Sequence, residues 1–214
     1  MALSKVDFNN INVTPAASKK LKWNSSANGF ETGDVGGSMV LISTVTASSS
    51  STLSFTSGID STYKEYIFKF IDIHPSADGG KFSFNMSVDG GSNYNVAKTT
   101  TCFEGYHYED DSSTVFNFAG GGALAQSTAD QNILRGVGAD NDQSGCATMH
   151  LFEPSSTTFV KHFLIRASRS QSIDYAADNF FAGYGNTTSA VDAIRFQFNS
   201  GNIDAGTIKM YGVT

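Results

Sequence analysis

The sequence predicts an all-β protein built as an antiparallel β-sandwich, and three observations lead to this prediction. The 214 residues are 12% aromatic and rich in Ser, Thr, Gly and Phe, a composition that suits half-buried pleated sheets joined by polar turns. Strong helix formers are scarce, so helix cannot dominate the fold. About nine or ten short apolar segments are separated by turn residues, and this spacing favours a sandwich.

The N-terminal part of the chain, residues 1–34, has little periodicity and is predicted to be an extended anchor. Single apolar side chains interrupt its polar sequence, and we expect them to dock on the domain or on a neighbouring subunit. The predicted anchor residues are Val6, Phe8, Ile11, Leu21, Trp23 and Phe30. A loosely held terminus is the alternative. Residues 35–214 are predicted to form the β-sandwich domain, after a glycine-containing hinge.

The first strands of the domain follow from alternating apolar residues. Residues 38–46 and 51–59 predict two strands, and residues 63–73 carry apolar side chains on both faces, which indicates a central strand. Residues 82–88 alternate strictly before Asp89-Gly90-Gly91, the strongest hairpin signal in the chain.

Further strands are predicted in the second half of the domain, with polar or glycine-rich turns between them. They lie at residues 99–108, 114–118, 146–152, 159–167 and 179–184, and a further short strand lies within residues 129–138.

The closing segment, residues 194–213, is predicted to be a β-hairpin. Apolar residues alternate on both sides of a Ser-Gly-Asn turn, and Gly201 and Gly206 permit the positive φ angles that turns require. Such a hairpin would seal an edge of the sandwich.

Several segments resemble virion structural proteins of the fibre or decoration type from tailed phages, especially marine ones. They are EYIFKFIDIHPSADGGKFSFNMSVDGG, MHLFEPSSTTFVKH and IRFQFNSGNIDAGTIKMYGV, which together cover most of residues 63–213. The stretch TPAASKKLKWNSSANGFETGD is similar to a phrase that recurs in phage fibre and adhesin proteins. The resemblance implies a sandwich of the jelly-roll type, commonly trimeric, whose position on tail, fibre or capsid stays open.

Composition argues against nucleic acid and membranes as partners. The net charge is -6, and the 14 basic residues are scattered apart from Lys19, Lys20 and Lys22, whereas phosphate binding needs clustered cations. No apolar run approaches the roughly 20 residues that span a bilayer, and the N-terminus has no apolar signal-peptide core. We therefore expect a chain made in the cytosol, and the resemblance to phage structural proteins implies assembly in the host cytoplasm into a virion.

Motifs for chemistry are weak, and the sequence predicts no catalytic residue, no metal site and no cofactor. The four histidines lack zinc-site spacing, and the DNDQSG loop lacks a complete calcium-binding pattern, so turn formation is favoured there. Glu104, Glu109 and Asp110 could serve a polysaccharide-active tailspike, but their crowding in a predicted turn favours a solvated loop. Cys102 and Cys146 are expected to be free thiols, with a disulfide as the alternative.

Five tyrosines are candidates for surface contact, because Tyr offers apolar area with a hydrogen-bonding tip. They are Tyr94, Tyr106, Tyr108, Tyr175 and Tyr184. Packing in the core or at its rim is the alternative.

Three hypotheses of function follow. The first is a non-enzymatic tail-fibre or adhesin head that forms a homotrimer, is joined to other virion proteins and contacts a host glycan or protein multivalently. The second places the same domain on the capsid as a decoration or head-fibre protein. The third is the polysaccharide-active tailspike.

Overall fold

A computed structural model describes residues 19–34 and 39–214, which belong to two compact units, residues 1–38 and residues 39–214. In the first unit, β1 (Lys19–Trp23) and β2 (Phe30–Asp34) form an antiparallel hairpin that the sequence did not predict. Trp23 lies opposite Phe30, with the ring centroids 4.4 Å apart.

The predicted anchor residues fall partly within this hairpin. Leu21 and Trp23 share one face of β1 because they are two residues apart, and Phe30 pairs with Trp23 across the hairpin. All three side chains are exposed. The other predicted anchor residues, Val6, Phe8 and Ile11, lie outside the described residues.

The second unit is all-β and antiparallel, which confirms the predicted fold class at that level. Its only described helical element is a short 3-10 turn at Gly120–Gly122. The strands are β3 (Met39–Thr46), β4 (Leu53–Phe55), β5 (Glu65–Pro75), β6 (Gly80–Ser87), β7 (Lys98–Tyr108), β8 (Thr114–Phe118), β9 (Gln131–Val137), β10 (Gly145–Phe152), β11 (Lys161–Gln171), β12 (Tyr175–Gly185), β13 (Ala193–Phe198) and β14 (Ile203–Val213).

The main sheet is nearly closed and barrel-like. Its strands follow the order β3-β14-β5-β10-β11-β9-β6-β13-β4, and β12, β7 and β8 continue outward from β11. β11 therefore has three neighbours: long ladders join it to β10 and β12, and a single pair, Gln171 with Val137, joins it to β9. The sheet turns at that corner, which brings β6 and β13 over β5.

The core lies between these facing parts of the sheet. Phe68 and Phe70 of β5 contact Phe196 of β13 at centroid distances of 5.6 and 5.1 Å, and Phe70 lies 5.7 Å from Phe82 of β6. All four rings are buried. Each buried phenylalanine contributes roughly 2 kcal/mol of hydrophobic stabilisation, so this cluster holds the two parts together.

The central strand predicted at residues 63–73 is observed as β5 (Glu65–Pro75), which pairs with both β14 and β10. Regular alternation would place Asp72 on the same face as Phe70, but the strand is irregular at this point. A bulge lies between Phe70 and Ile73, and Asp72 has a φ of 51°. The extra residue lets Phe70 and Ile73 both point into the core.

The hairpin predicted at Asp89–Gly91 is wrong. β6 pairs with β13 and β9 rather than with β7, the next strand along the chain. Asp89 instead closes a local loop, accepting hydrogen bonds from the Ser87 hydroxyl at 2.7 Å and the Asn93 backbone amide at 2.8 Å. Hydrogen bonds from Asn93 and Ser87 lower the pKa of Asp89 to about 2. Alternation correctly indicated a strand, but β6 is buried on both faces, and alternation carries no information about the partner strands.

The prediction that residues 194–213 form a closing hairpin is also wrong. β13 lies between β6 and β4, whereas β14 lies between β3 and β5. The turn between them crosses from one part of the sheet to the other, where Asn202 and Ser76 exchange hydrogen bonds. Gly201 and Gly206 do have positive φ, at 69° and 122°, but β14 is an interior strand of the main sheet rather than the seal of an edge.

Within residues 19–34 and 39–214, no helical segment has the length and hydropathy that crossing a bilayer would require.

Candidate functional site

Strands β7 and β12 each present two different surfaces. They pair along their full length, with Glu104 opposite Asn179 and Tyr108 opposite Tyr175. The even-numbered side chains of β7 and the odd-numbered side chains of β12 face inward, because successive side chains of a strand alternate. The remaining side chains face outward.

The inward side ends in a cavity of about 300 Å³, which we call the tyrosine pocket. Its defining residues are Tyr106, Tyr108, Tyr175, Glu104 and Arg135, and Phe118 of β8 also lines it. The Tyr175 ring lies 4.8 Å from that of Tyr106 and 5.1 Å from that of Tyr108. Tyr175 is buried and the other two tyrosines are half-buried, so they form the wall nearer to solvent.

Polar groups at the base of the pocket converge on Glu104. Its Oε2 atom accepts hydrogen bonds from Asn179 Nδ2 at 2.5 Å, Arg169 Nη2 at 3.3 Å and Arg135 Nη1 at 3.4 Å. Arg169 also donates from Nε to the Arg135 carbonyl, and its guanidinium lies 5.7 Å from the Tyr175 ring centroid. Among the described residues, no hydrogen bond reaches the other carboxylate oxygen of Glu104, Oε1.

This network contains more positive than negative charge. Arg135 and Arg169 share the single carboxylate of Glu104, and the side chain of Arg169 is 1% exposed. Arg169 Nη1 and Arg135 Nε are buried without a hydrogen-bond partner in the described part of the chain. Burial lowers the pKa of Arg169, and Glu104 opposes that effect. The site is therefore polar, positively charged and incompletely paired.

The described lining of the pocket contains one carboxylate rather than a pair. Glycosidases use two carboxyl groups on either side of the scissile bond. Among the described residues lining the pocket, Glu104 alone has a carboxylate. Glu109 and Asp110 lie in the exposed turn after β7, where Asp110 accepts a hydrogen bond from Ser112.

The outward side carries a second feature, which we call the aromatic face. It consists of Phe103, Phe116, Phe118, Leu164 and Phe180, all of them exposed. Cross-strand pairing places Phe180, Phe103 and Phe118 in one row over β12, β7 and β8. The parallel rings of Phe103 and Phe116 lie 6.4 Å apart.

A groove runs along this outward side. A depression of about 420 Å³ is lined by Phe103, Leu164 and Phe180, and a broader one of about 1120 Å³ continues over Phe116 towards β5. Arg166 lies 4.9 Å from the Phe180 ring centroid and pairs with Asp178 at 2.9 Å. β8 pairs with β7 alone among the described strands, so its other edge is open.

The structure brings together three of the five tyrosines proposed from the sequence: Tyr106, Tyr108 and Tyr175. All three lie in strands: Tyr106 and Tyr108 fall in the strand predicted at residues 99–108, whereas Tyr175 opens β12 at a position where no strand was predicted. Tyr94 lies apart, 4.8 Å from the Arg195 guanidinium, and Tyr184 is on the outward side of β12, 5.9 Å from the His162 ring.

Sequence reasoning missed the groups that complete both surfaces. Arg135, Arg169 and Asn179 were not singled out, and Glu104 was considered only as an acid of a tailspike. One signal was present: Glu104, Tyr106 and Tyr108 alternate within a predicted strand, which places them on one face. No comparable signal showed that the aromatic face is exposed.

The histidine and cysteine side chains of the described residues do not gather into a common site. In the described ranges, no group of three or more His, Cys, Asp or Glu side chains is placed to hold a metal ion. Cys102 is buried and Cys146 exposed, and both are free thiols. Each histidine has its own neighbour: His74 the Gln143 carbonyl, His107 Asp111, His150 Glu65, and His162 Tyr184.

Comparisons of the chain with protein-family models, with curated proteins and with solved structures find no match. Function is therefore argued from the two surfaces and from the sequence itself.

Proposed function

We propose that the chain is a non-enzymatic structural protein of a tailed-phage virion. In this proposal, residues 39–214 form a tail-fibre or adhesin head at the particle surface, and residues 1–34 join it to other virion proteins. The resemblance of segments within residues 63–213 supports the class of protein. The aromatic face is the observation that supports a role in assembly.

The aromatic face suits a protein contact because it leaves large rings in water. Phe116 is 75% exposed and Phe118 is 59% exposed. Contiguous apolar patches of this kind mark interaction surfaces. Burying one phenylalanine contributes roughly 2 kcal/mol, so a partner that covers both rings gains a substantial part of its binding free energy from them.

We expect the partner to be another copy of the chain, in a homotrimer. A three-fold ring joins two different patches of each subunit. The second unit offers a second exposed apolar patch at Met39, Val40 and Leu41 of β3, at the opposite end of the run of strands from β3 to β8. Contact between the aromatic face of one copy and β3 of the next would cover both patches and protect both edge strands.

The proposal also assigns the domain to the jelly-roll sandwiches. The phenylalanine contacts between β5 and the β6–β13 pair resemble the packing between two sheets of a sandwich. The single pair between β9 and β11 then joins two sheets at one corner.

The hairpin of the first unit supports the anchoring role. Leu21, Trp23 and Phe30 lie together on it and are exposed, and such a face is suited to docking on a virion protein. Deleting residues 1–34 is expected to leave a folded domain that no longer joins the particle. Loss of folding on deletion would contradict an anchor.

Cryo-electron microscopy of the intact particle tests the proposed location. We expect trimeric density at a tail or fibre tip into which the second unit fits. Density on the capsid would instead support the decoration protein, and absence of the chain from purified particles would overturn both. Release of reducing sugar from host glycans would contradict the non-enzymatic assignment.

A further inference from the structure

We propose that the tyrosine pocket binds one carboxylate-bearing sugar residue, such as a uronic acid unit of a surface polysaccharide. This inference deepens the proposed function, on which its biological setting rests. Its structural basis is the pocket alone.

Size and wall chemistry favour a sugar ring. The volume of about 300 Å³ is at the lower end for small-molecule sites and suits a single pyranose. Tyr106 and Tyr108 contribute half-buried rings whose faces can pack on sugar C–H groups, and their hydroxyl groups can bond to sugar oxygens.

Charge favours an acidic sugar over a neutral one. Two guanidinium groups share the carboxylate of Glu104: Arg135 lines the pocket, and Arg169 is buried behind it. An excess buried charge is costly unless it is paired. The Nη2 atom of Arg135 lies 3.6 Å from the position that a Cβ atom would occupy at Gly121, which also lines the pocket. A ligand carboxylate beside Arg135 would form a charge-assisted hydrogen bond and balance the site.

The remaining polar atoms favour a sugar acid over a simple anion. Glu104 lines the pocket, and its Oε1 atom accepts no hydrogen bond from the described residues. This oxygen can accept from a ligand hydroxyl, whereas it would repel a bare phosphate. A molecule with a carboxylate, a neighbouring hydroxyl and an apolar ring face therefore matches the pocket best.

Isothermal titration calorimetry of the full chain tests the inference with three probes: a galacturonic acid trisaccharide, a neutral glucose trisaccharide, and acetate. We expect the uronic acid oligomer to bind at least tenfold more tightly than either of the others, and its affinity to fall as salt rises. Equal binding of the neutral oligomer, or no heat with the acidic one at millimolar concentration, would overturn the inference. Equal binding of acetate would show a general anion site and would also overturn it.

Substitutions locate the binding. Tyr106→Ser and Arg135→Gln should each weaken uronic acid binding at least tenfold. Tyr184→Ser, the same change on the outward side of β12, should leave it unchanged. Thermal unfolding checks each fold, and Tyr108→Ser replaces Arg135→Gln if that variant does not fold. Unchanged affinity in the folded pocket variants would contradict this site.

Failure here is distinguishable from failure of the proposed function. A chain that is found in the particle as a trimer, yet binds no acidic sugar, refutes the pocket assignment alone. A chain that binds the sugar but is missing from particles refutes the virion assignment alone.

Discussion

The inward and outward sides of β7 and β12 differ sharply although they belong to the same two strands. On the inward side, Glu104 and Asn179 are tied to two arginines in a buried network. On the outward side, Phe103 and Phe180 are exposed beside other apolar side chains. Strand alternation thus gives neighbouring residues different surroundings: the inward side forms a polar pocket, and the outward side exposes the apolar rings that we propose to take part in assembly.

The largest expected effect comes from removing the carboxylate at the centre of the inward network. Glu104→Leu leaves Arg135 and Arg169 without their shared partner, and breaking a buried ion pair in this way costs about 3–5 kcal/mol. Urea unfolding monitored by circular dichroism measures the loss.

A matched change on the outward side sharpens the comparison. Asp178→Leu also removes a carboxylate paired with an arginine, but the Arg166 and Asp178 side chains are 69% and 40% exposed. We expect a loss of at most about 1 kcal/mol. Adding Arg169→Met to Glu104→Leu should recover part of the larger loss. Equal losses for the two carboxylates would contradict the difference between the sides.

A third inward cation, Lys98 at the start of β7, predicts that stability depends on pH. Its ammonium group is buried, donates to Asn85 Oδ1 at 2.6 Å and to the Val96 carbonyl at 2.8 Å, and burial lowers the pKa to about 8. Between pH 8 and 10.5 the folded state releases a proton that the unfolded state retains, so this group makes unfolding less favourable as pH rises. Relative to Lys98→Met, the wild-type chain should gain up to roughly 3 kcal/mol across that window.

Urea unfolding of both chains at several pH values tests this sign. A difference between wild type and Lys98→Met that stays constant, or that falls as pH rises, would show that burial does not penalise the Lys98 charge.

The reactivity of the two cysteine thiols offers a further comparison between the inward side and an exposed position. Cys102 faces inward on β7, and burial raises its pKa to about 11, whereas Cys146 is exposed on β10. Because the thiolate is the reactive form, a maleimide at neutral pH should label Cys146 at least a hundredfold faster. Mass spectrometry of timed samples measures both rates, and comparable labelling of Cys102 would mean that the inward side opens readily.

Strand positions were largely predictable because side-chain alternation is a local signal. Residues 114–118 were predicted as a strand with the observed bounds, and residues 99–108 to within one residue. Pairing was not predictable, because it depends on residues far apart in the chain. Met210 lies opposite Phe68 rather than within a terminal hairpin, and no local pattern could indicate this.

The same limit applied to the pocket. The alternation of Glu104, Tyr106 and Tyr108 in one strand places them on a common face, but Arg135 and Arg169 come from two other strands. For the aromatic face, the sequence pattern predicts burial where the structure shows exposure. Alternating phenylalanines such as Phe116 and Phe118 predict a buried face, and only the position of β8 at an open edge shows that they are exposed in a single chain.

Sedimentation velocity of the full chain tests the assembly role of the aromatic face most directly. We predict a trimer at micromolar concentration. The double variant Phe116→Ser and Phe118→Ser should associate at least a hundredfold more weakly, because two rings of roughly 2 kcal/mol each are lost from every contact. Phe159→Ser, which changes an equally exposed ring outside the face, should remain trimeric. A monomeric wild-type chain, or a double variant that still forms the trimer at the same concentration, would contradict the account.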